Sequence, residues 1–197
     1  MDPITLRRWR GLTYHDPAEK LRQYRAVEIE IATVVAGQDL EPGARKALAL
    51  RTHELSRFLE LRDGALFTLG MGLAMRQRIG IADEEDVDYD FVTVRVDGDT
   101  AHYCPVQLKE LPPDERNPHA TVEGLLAALP KRYAPTETVL VVRLNHAGHV
   151  ILDRDWPAVP FAQLWFLWAS APDASKWSIY GDALANGPGQ WAFDYPT

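Results

Sequence analysis

Asp90-Phe91-Val92-Thr93-Val94-Arg95-Val96-Asp97-Gly98, continued by Ala101-His102-Tyr103-Cys104-Pro105-Val106-Gln107-Leu108-Lys109, reads as a β-hairpin with a chemical end. Phe91 to Val96 is β-branched and apolar, Asp97-Gly98 is a strong short-range turn signal, and Ala101 to Leu108 returns. Side chains alternate along a strand, so Gln107 and Lys109 share one face while Val106 and Leu108 take the other. Folding back at Asp97-Gly98 brings Asp90 across from Gln107 and Lys109. A carboxylate, an amide and an ammonium are thereby expected to converge at the rim of a sheet.

That set suits a hard divalent cation such as Mg²⁺, with Mn²⁺ as its substitute, because such ions take oxygen ligands and keep several waters. Asp90 and Gln107 are the candidate metal ligands, and Lys109 is the cation that stabilises a phosphorane or orients the attacking water. Phosphodiester hydrolysis is the reaction these groups fit. The plain alternative is a solvated sheet edge with Lys109 as an edge-protecting charge.

Upstream of the hairpin, Asp16-Pro17 opens a helix over 17–35 with Leu21, Tyr24, Val27, Glu28, Ile31 and Val34 at three- and four-residue steps. Gly37 and Glu41-Pro42-Gly43 end it. A second helix is expected over 44–61, a break at Asp63-Gly64, and a third helix, apolar almost all round, over 65–78. Downstream, 121–129 reads as a short helix and 138–144 as a strand, turned at Asn145-His146-Ala147-Gly148 into a further strand over 149–152. The tail from Asp155 carries five of the six tryptophans, with a helix expected over 161–168 and a strand over 177–180. The economical organisation is one domain: an N-terminal helical extension (1–43), a core (44–152) and an aromatic C-terminal extension (153–197).

The pattern Tyr89-Asp90-Phe91-Val92-Thr93-Val94, hairpin, Pro105-Val106-Gln107-Leu108-Lys109 resembles the PD-(D/E)XK, or restriction endonuclease-like, nuclease superfamily, especially the Mrr-like members with Gln-x-Lys as second motif. The resemblance covers roughly 55–144. It implies an α/β (α+β) fold of helix, β-hairpin, helix and strand with a mixed central sheet. It also implies a Mg²⁺-dependent nuclease acting on nucleic acid, DNA above all, with Asp90 and Gln107 at the metal and Lys109 catalytic. Many members add a helix glutamate, for which Glu60 is the first choice and Glu54 the second; Asp88 is the alternative to Asp90. Tyr89 stands where the family has proline, and Gln107 where it commonly has a carboxylate. A homodimer also comes from the family, since cutting two strands needs two sites or two visits.

Composition narrows the rest. At 197 residues, 46% of them apolar and 25% charged, the chain can build a full core and has no room for a long disordered tract. A single cysteine, Cys104, excludes a disulfide scaffold and suits a reducing cytosol. No secretory signal and no run of about 18 uncharged apolar residues is read, so a soluble, cytoplasmic protein without membrane contact is expected. The net charge of −7 argues against coating nucleic acid by bulk charge but leaves room for local patches, of which Arg7-Arg8-Trp9-Arg10 and Lys131-Arg132 are the best. His146 and His149 read as turn residues in preference to metal ligands, Cys104 as an inert thiol, and Asp83 to Asp90 as a solvated loop ending in one catalytic aspartate. The tryptophan-rich tail reads as core or interface, and it is the candidate surface for a protein partner if the nuclease fold is catalytically silent.

Overall fold

In the computed structural model, residues 2–36, 53–145 and 150–197 are described. Helix α1 spans Pro3–Arg10, α2 Pro17–Ala36, α3 His53–Met75 and α4 Val122–Ala128. The strands are β1 Ile79–Ala82, β2 Phe91–Asp97, β3 Thr100–Leu111, β4 Val139–Leu144, β5 Gln163–Ala169, β6 Lys176–Gly181 and β7 Gly189–Asp194. They form one mixed seven-stranded sheet in strict chain order. The pairs β1–β2, β2–β3, β5–β6 and β6–β7 are antiparallel, whereas β3–β4 and β4–β5 are parallel. The fold is thus mixed α/β, as expected.

The hairpin forms in the anticipated register. Val96 faces Ala101 and Asp97 faces Thr100, leaving a two-residue loop whose first member, Gly98, has φ 57°, a conformation glycine supplies without steric cost. A parallel partner for β3 requires a crossover. It runs through α4, which Thr121 caps by accepting the Gly124 N–H at 3.0 Å.

Both faces of the sheet are covered. Phe91, Val106, Leu108, Val139 and Val141 pack toward α3, while Leu140, Val142, Leu164 and Phe166 pack toward α4. This double burial explains why β4 is apolar from Val139 to Val142, before Arg143.

The segment 161–168, expected as a helix, contains instead most of β5. Trp165 and Leu167 join the α3-side cluster, and Leu164 and Phe166 the α4-side cluster. A run apolar on all sides suits a buried helix or a doubly covered strand equally. Here β4 and β6 satisfy its backbone on both edges.

Residues 150–152 are likewise outside the sheet, against the expected strand. Strand β4 already lies between β3 and β5, so no edge remains for a returning partner. Leu152 and Trp156 instead close over the α4-side cluster.

Two expected helices merge across Asp63-Gly64 into α3, and α1, β1 and β7 were not anticipated. The part of the predicted second helix before His53, as well as His146 and His149, lies outside the described residues. The segment 153–197 supplies β5, β6 and β7 to the common sheet. Its tryptophans are spent in packing: Trp165 and Trp177 are buried, and Trp156, Trp168 and Trp191 are half-buried. Among the described residues, no helix is long and apolar enough to cross a membrane.

Candidate functional site

Asp90 sits immediately before β2, one position beyond the Phe91–Val106 pair, and is held at both backbone ends. Its N–H donates to the Val106 carbonyl at 2.9 Å, and its own carbonyl accepts Arg57 Nη2 at 2.7 Å. Its Oδ2 accepts the Leu108 backbone N–H at 2.6 Å and the side-chain amide of Gln107. Gln107 is 3% exposed, a buried amide whose donor is satisfied by a carboxylate. The pairing of Asp90 with Gln107, expected from strand alternation, is therefore formed.

Lys109, two residues on and on the same strand face, is half-buried and lies over the Tyr133 ring, 5.4 Å from its centroid. Tyr133 follows the short 3₁₀ turn after α4 and packs on Phe161, so the crossover builds the floor beneath the lysine. Burial pushes the Asp90 carboxyl up from its ordinary value; the Leu108 N–H, the Lys109 charge, Arg57 and Gln107 pull the other way. Lys109 is among the charges that hold the Asp90 carboxyl down.

Glu60 projects from α3 and is also pushed up, first by burial and then by the negative charge of Asp90. The two carboxylates therefore feel each other. Glu54 lies on the first turns of α3, where only the backbone is described. Asp88 is exposed in the turn closed by Asp86 and Tyr89, off β2, and does not share the site with Gln107.

One residue that the sequence did not mark stands among these groups. Arg57, one turn before Glu60, contacts Asp83 and the Asp90 carbonyl through Nη2, and its Nη1 lies 3.6 Å from both Glu60 Oε2 and Glu85 Oε2. Burial works against its charge, but Asp83, Glu85 and Glu60 hold its pKa above the ordinary value. Nη1 is buried without a hydrogen-bond partner. The signal available in the sequence was the i,i+3 spacing of Arg57 and Glu60 together with the acidic stretch 83–86. That stretch is no free loop: Asp83 and Glu85 meet Arg57, while Glu84 and Asp86 meet Arg8.

The residue before the catalytic candidate is anchored from α1. Tyr89 is buried, and its hydroxyl accepts the Trp9 indole N–H at 3.1 Å and a hydrogen bond from Arg8. Position 89 is thus a phenol held by two donors. Cys104, by contrast, packs against the α3-side cluster, and burial pushes its thiol up to about 11.

Among the described residues, no three His, Cys, Asp or Glu side chains close on one point. The donors that would hold a divalent ion are those left over. Asp90 Oδ1 and Gln107 Oε1 take no part in the bonds above, and Glu60 is a second carboxylate that Asp90 repels. One or two carboxylates, an amide oxygen and waters are the ligands Mg²⁺ accepts.

No family model, curated protein or solved structure matches the chain.

Proposed function

We propose that this protein is a Mg²⁺-dependent nuclease, hydrolysing nucleic-acid phosphodiesters, with DNA as the substrate and endonucleolytic cleavage as the mode. The observation that carries the reading is the contact of Asp90 with Gln107 beside Lys109 on one face of β3. The order α3–β1–β2–β3–α4–β4, with an antiparallel first half and a parallel β3–β4 step, supports a restriction endonuclease-like core.

Asp90 and Gln107 would hold the ion, with Glu60 as the helix carboxylate. Mg²⁺, when bound, supplies a Lewis acid at the scissile phosphate and an acidified water. Lys109, seated over the Tyr133 ring, would neutralise charge that grows on the phosphoryl oxygens. The exposed pair Lys131 and Arg132, just before Tyr133, offers backbone phosphates a contact on the same side.

The test is cleavage of single- and double-stranded DNA and RNA with Mg²⁺, Mn²⁺ or EDTA, using Lys109→Ala as the control. Metal-dependent cleavage lost in the variant upholds the reading; equal activity in the variant overturns it.

A catalytically silent module of the same fold, binding a protein partner, is the second reading. It is favoured by Gln107 in place of a carboxylate and by the Arg57 cation already seated among the acids. Absence of cleavage in every metal with intact folding would select it.

A further inference from the structure

We propose that Arg57 is the resident counter-ion of this site, and that its guanidinium and a divalent cation compete for the same carboxylates. The inference rests on the reading of Asp90 and Glu60 as metal ligands and assigns a regulatory role to a residue outside that set.

Three features of the geometry support it. First, one guanidinium serves Asp83, Glu85, Glu60 and the Asp90 carbonyl, so it sits at the centre of the negative charge brought together by α3 and the β1–β2 connection. Second, its two ends differ. Nη2 makes close hydrogen bonds to Asp83 and to the Asp90 carbonyl, whereas Nη1 is buried, lacks a hydrogen bond and stands 3.6 Å from the Glu60 and Glu85 oxygens. Nη1 meets its two carboxylates at ion-pair range without forming a hydrogen bond, so it is the more weakly held end. Third, the same guanidinium reaches Glu60 on α3 through Nη1 and the Asp90 backbone through Nη2, so it bridges the two residues read as metal ligands.

A cation drawn to Asp90 and Glu60 would meet the Nη1 end of Arg57 at like-charge range. The guanidinium would then retreat toward Asp83 and Glu85, which remain exposed and able to follow it. An arginine placed only to brace the fold would make no such exchange. Its removal would loosen the carboxylates and weaken any ion they hold.

The test titrates Mn²⁺ by calorimetry into the full chain and into Arg57→Gln, Arg57→Lys and Asp90→Asn, with thermal melting of each. The expected result is binding about tenfold tighter in Arg57→Gln, because one positive charge has left the site. Arg57→Lys should stay near the parent and Asp90→Asn should show no binding. Equal or weaker Mn²⁺ affinity in a folded Arg57→Gln overturns the proposal while leaving the metal-site reading intact. Asp90-dependent binding seen only in Arg57→Gln supports the counter-ion and overturns Mg²⁺-dependent activity for the parent chain. Absence of binding in all variants overturns both.

Should Arg57→Gln not fold, the unaltered protein is titrated with Mg²⁺ while the Arg57 side-chain nitrogen resonances are followed by NMR. Movement of these signals that is absent in Asp90→Asn supports the exchange, and static signals at saturation overturn it.

Discussion

Arg143 on β4 donates to Asp63 on α3, Nη1 to Oδ2 at 2.8 Å, and so ties the long helix to the middle of the sheet. Asp63 is only 2% exposed, and its other oxygen is taken by Arg62, which also reaches Glu28 on α2 at 2.7 Å. Arg143 also lies over the Trp177 ring and near Glu110. Removing one partner from such a pair strands a buried charge, at a cost of about 3–5 kcal/mol. Asp63→Ala should therefore lower the urea midpoint sharply. Glu123→Ala, which breaks the exposed pair with Arg154, should change stability by less than about 1 kcal/mol.

The neighbouring glycine has an equally definite role. A Cβ at position 64 would stand 2.9 Å from the Phe91 ring, so α3 approaches β2 closely only because the side chain is absent. Gly64→Ala should destabilise the protein by about 1–3 kcal/mol in chemical denaturation, the range for overpacking a filled core. Phe91 directly follows Asp90, so the same variant should weaken metal binding through displacement of the carboxylate.

Asp63-Gly64 marks where the sequence could and could not be read. As a dipeptide it carries the signature of a break, and local propensity alone favours ending the helix there. Tertiary contacts override it: the carboxylate answers Arg143, eighty positions away, and the glycine answers Phe91. The hairpin was legible because its signals are local, with a turn dipeptide between alternating runs, and the Asp90–Gln107 contact follows from register once the turn is placed. The strand β5 was not legible, because Leu164-Trp165-Phe166-Leu167 has no polar side to reveal a period. Arg57 was missed for a third reason. Its partners Asp83 and Glu85 lie in another element, and only the folded chain brings them to it.

The acidic site should leave a trace in the pH dependence of stability. Burial raises both Asp90 and Glu60 above their ordinary values, so the folded state takes up these protons more readily than the unfolded chain. Their contribution is full below the unfolded values of about 4 and is lost as pH rises through the higher folded values. In EDTA, Asp90→Asn should therefore show a shallower loss of stability from about pH 4 upward, measured by urea denaturation across a pH series. Added Mg²⁺ should oppose that loss, raising the melting temperature more at pH 8 than at pH 5.

Tyr89→Phe isolates the anchor supplied by α1. The substitution keeps the ring against Trp9 and deletes only the oxygen that accepts from the Trp9 indole and Arg8. Leaving a buried donor unmet costs about 1–3 kcal/mol. The expected readout is faster proteolysis within residues 2–12, together with a lower melting temperature.

Lys109→Ala and Lys109→Arg separate charge from shape. Loss of the ammonium should reduce cleavage by about 10²–10³ while leaving the fold intact. It should also let Asp90 hold its proton to higher pH, since the lysine charge is among the groups that pull it down. Mn²⁺ binding in Lys109→Ala should consequently weaken more at acidic than at neutral pH, and Lys109→Arg should recover binding more fully than cleavage.

Strict chain order in the sheet bears on how the protein is made. Every strand pairs with the one synthesised just before it, so the sheet can grow one strand at a time as the polypeptide leaves the ribosome. Helix α3 has no such schedule. Residues 63–68 of α3 are buried all round, yet their neighbours include Arg143, Trp165 and Ile179, all translated much later. Until β6 emerges, that greasy turn stays partly bare, making α3 the segment of the nascent chain on which a chaperone would act.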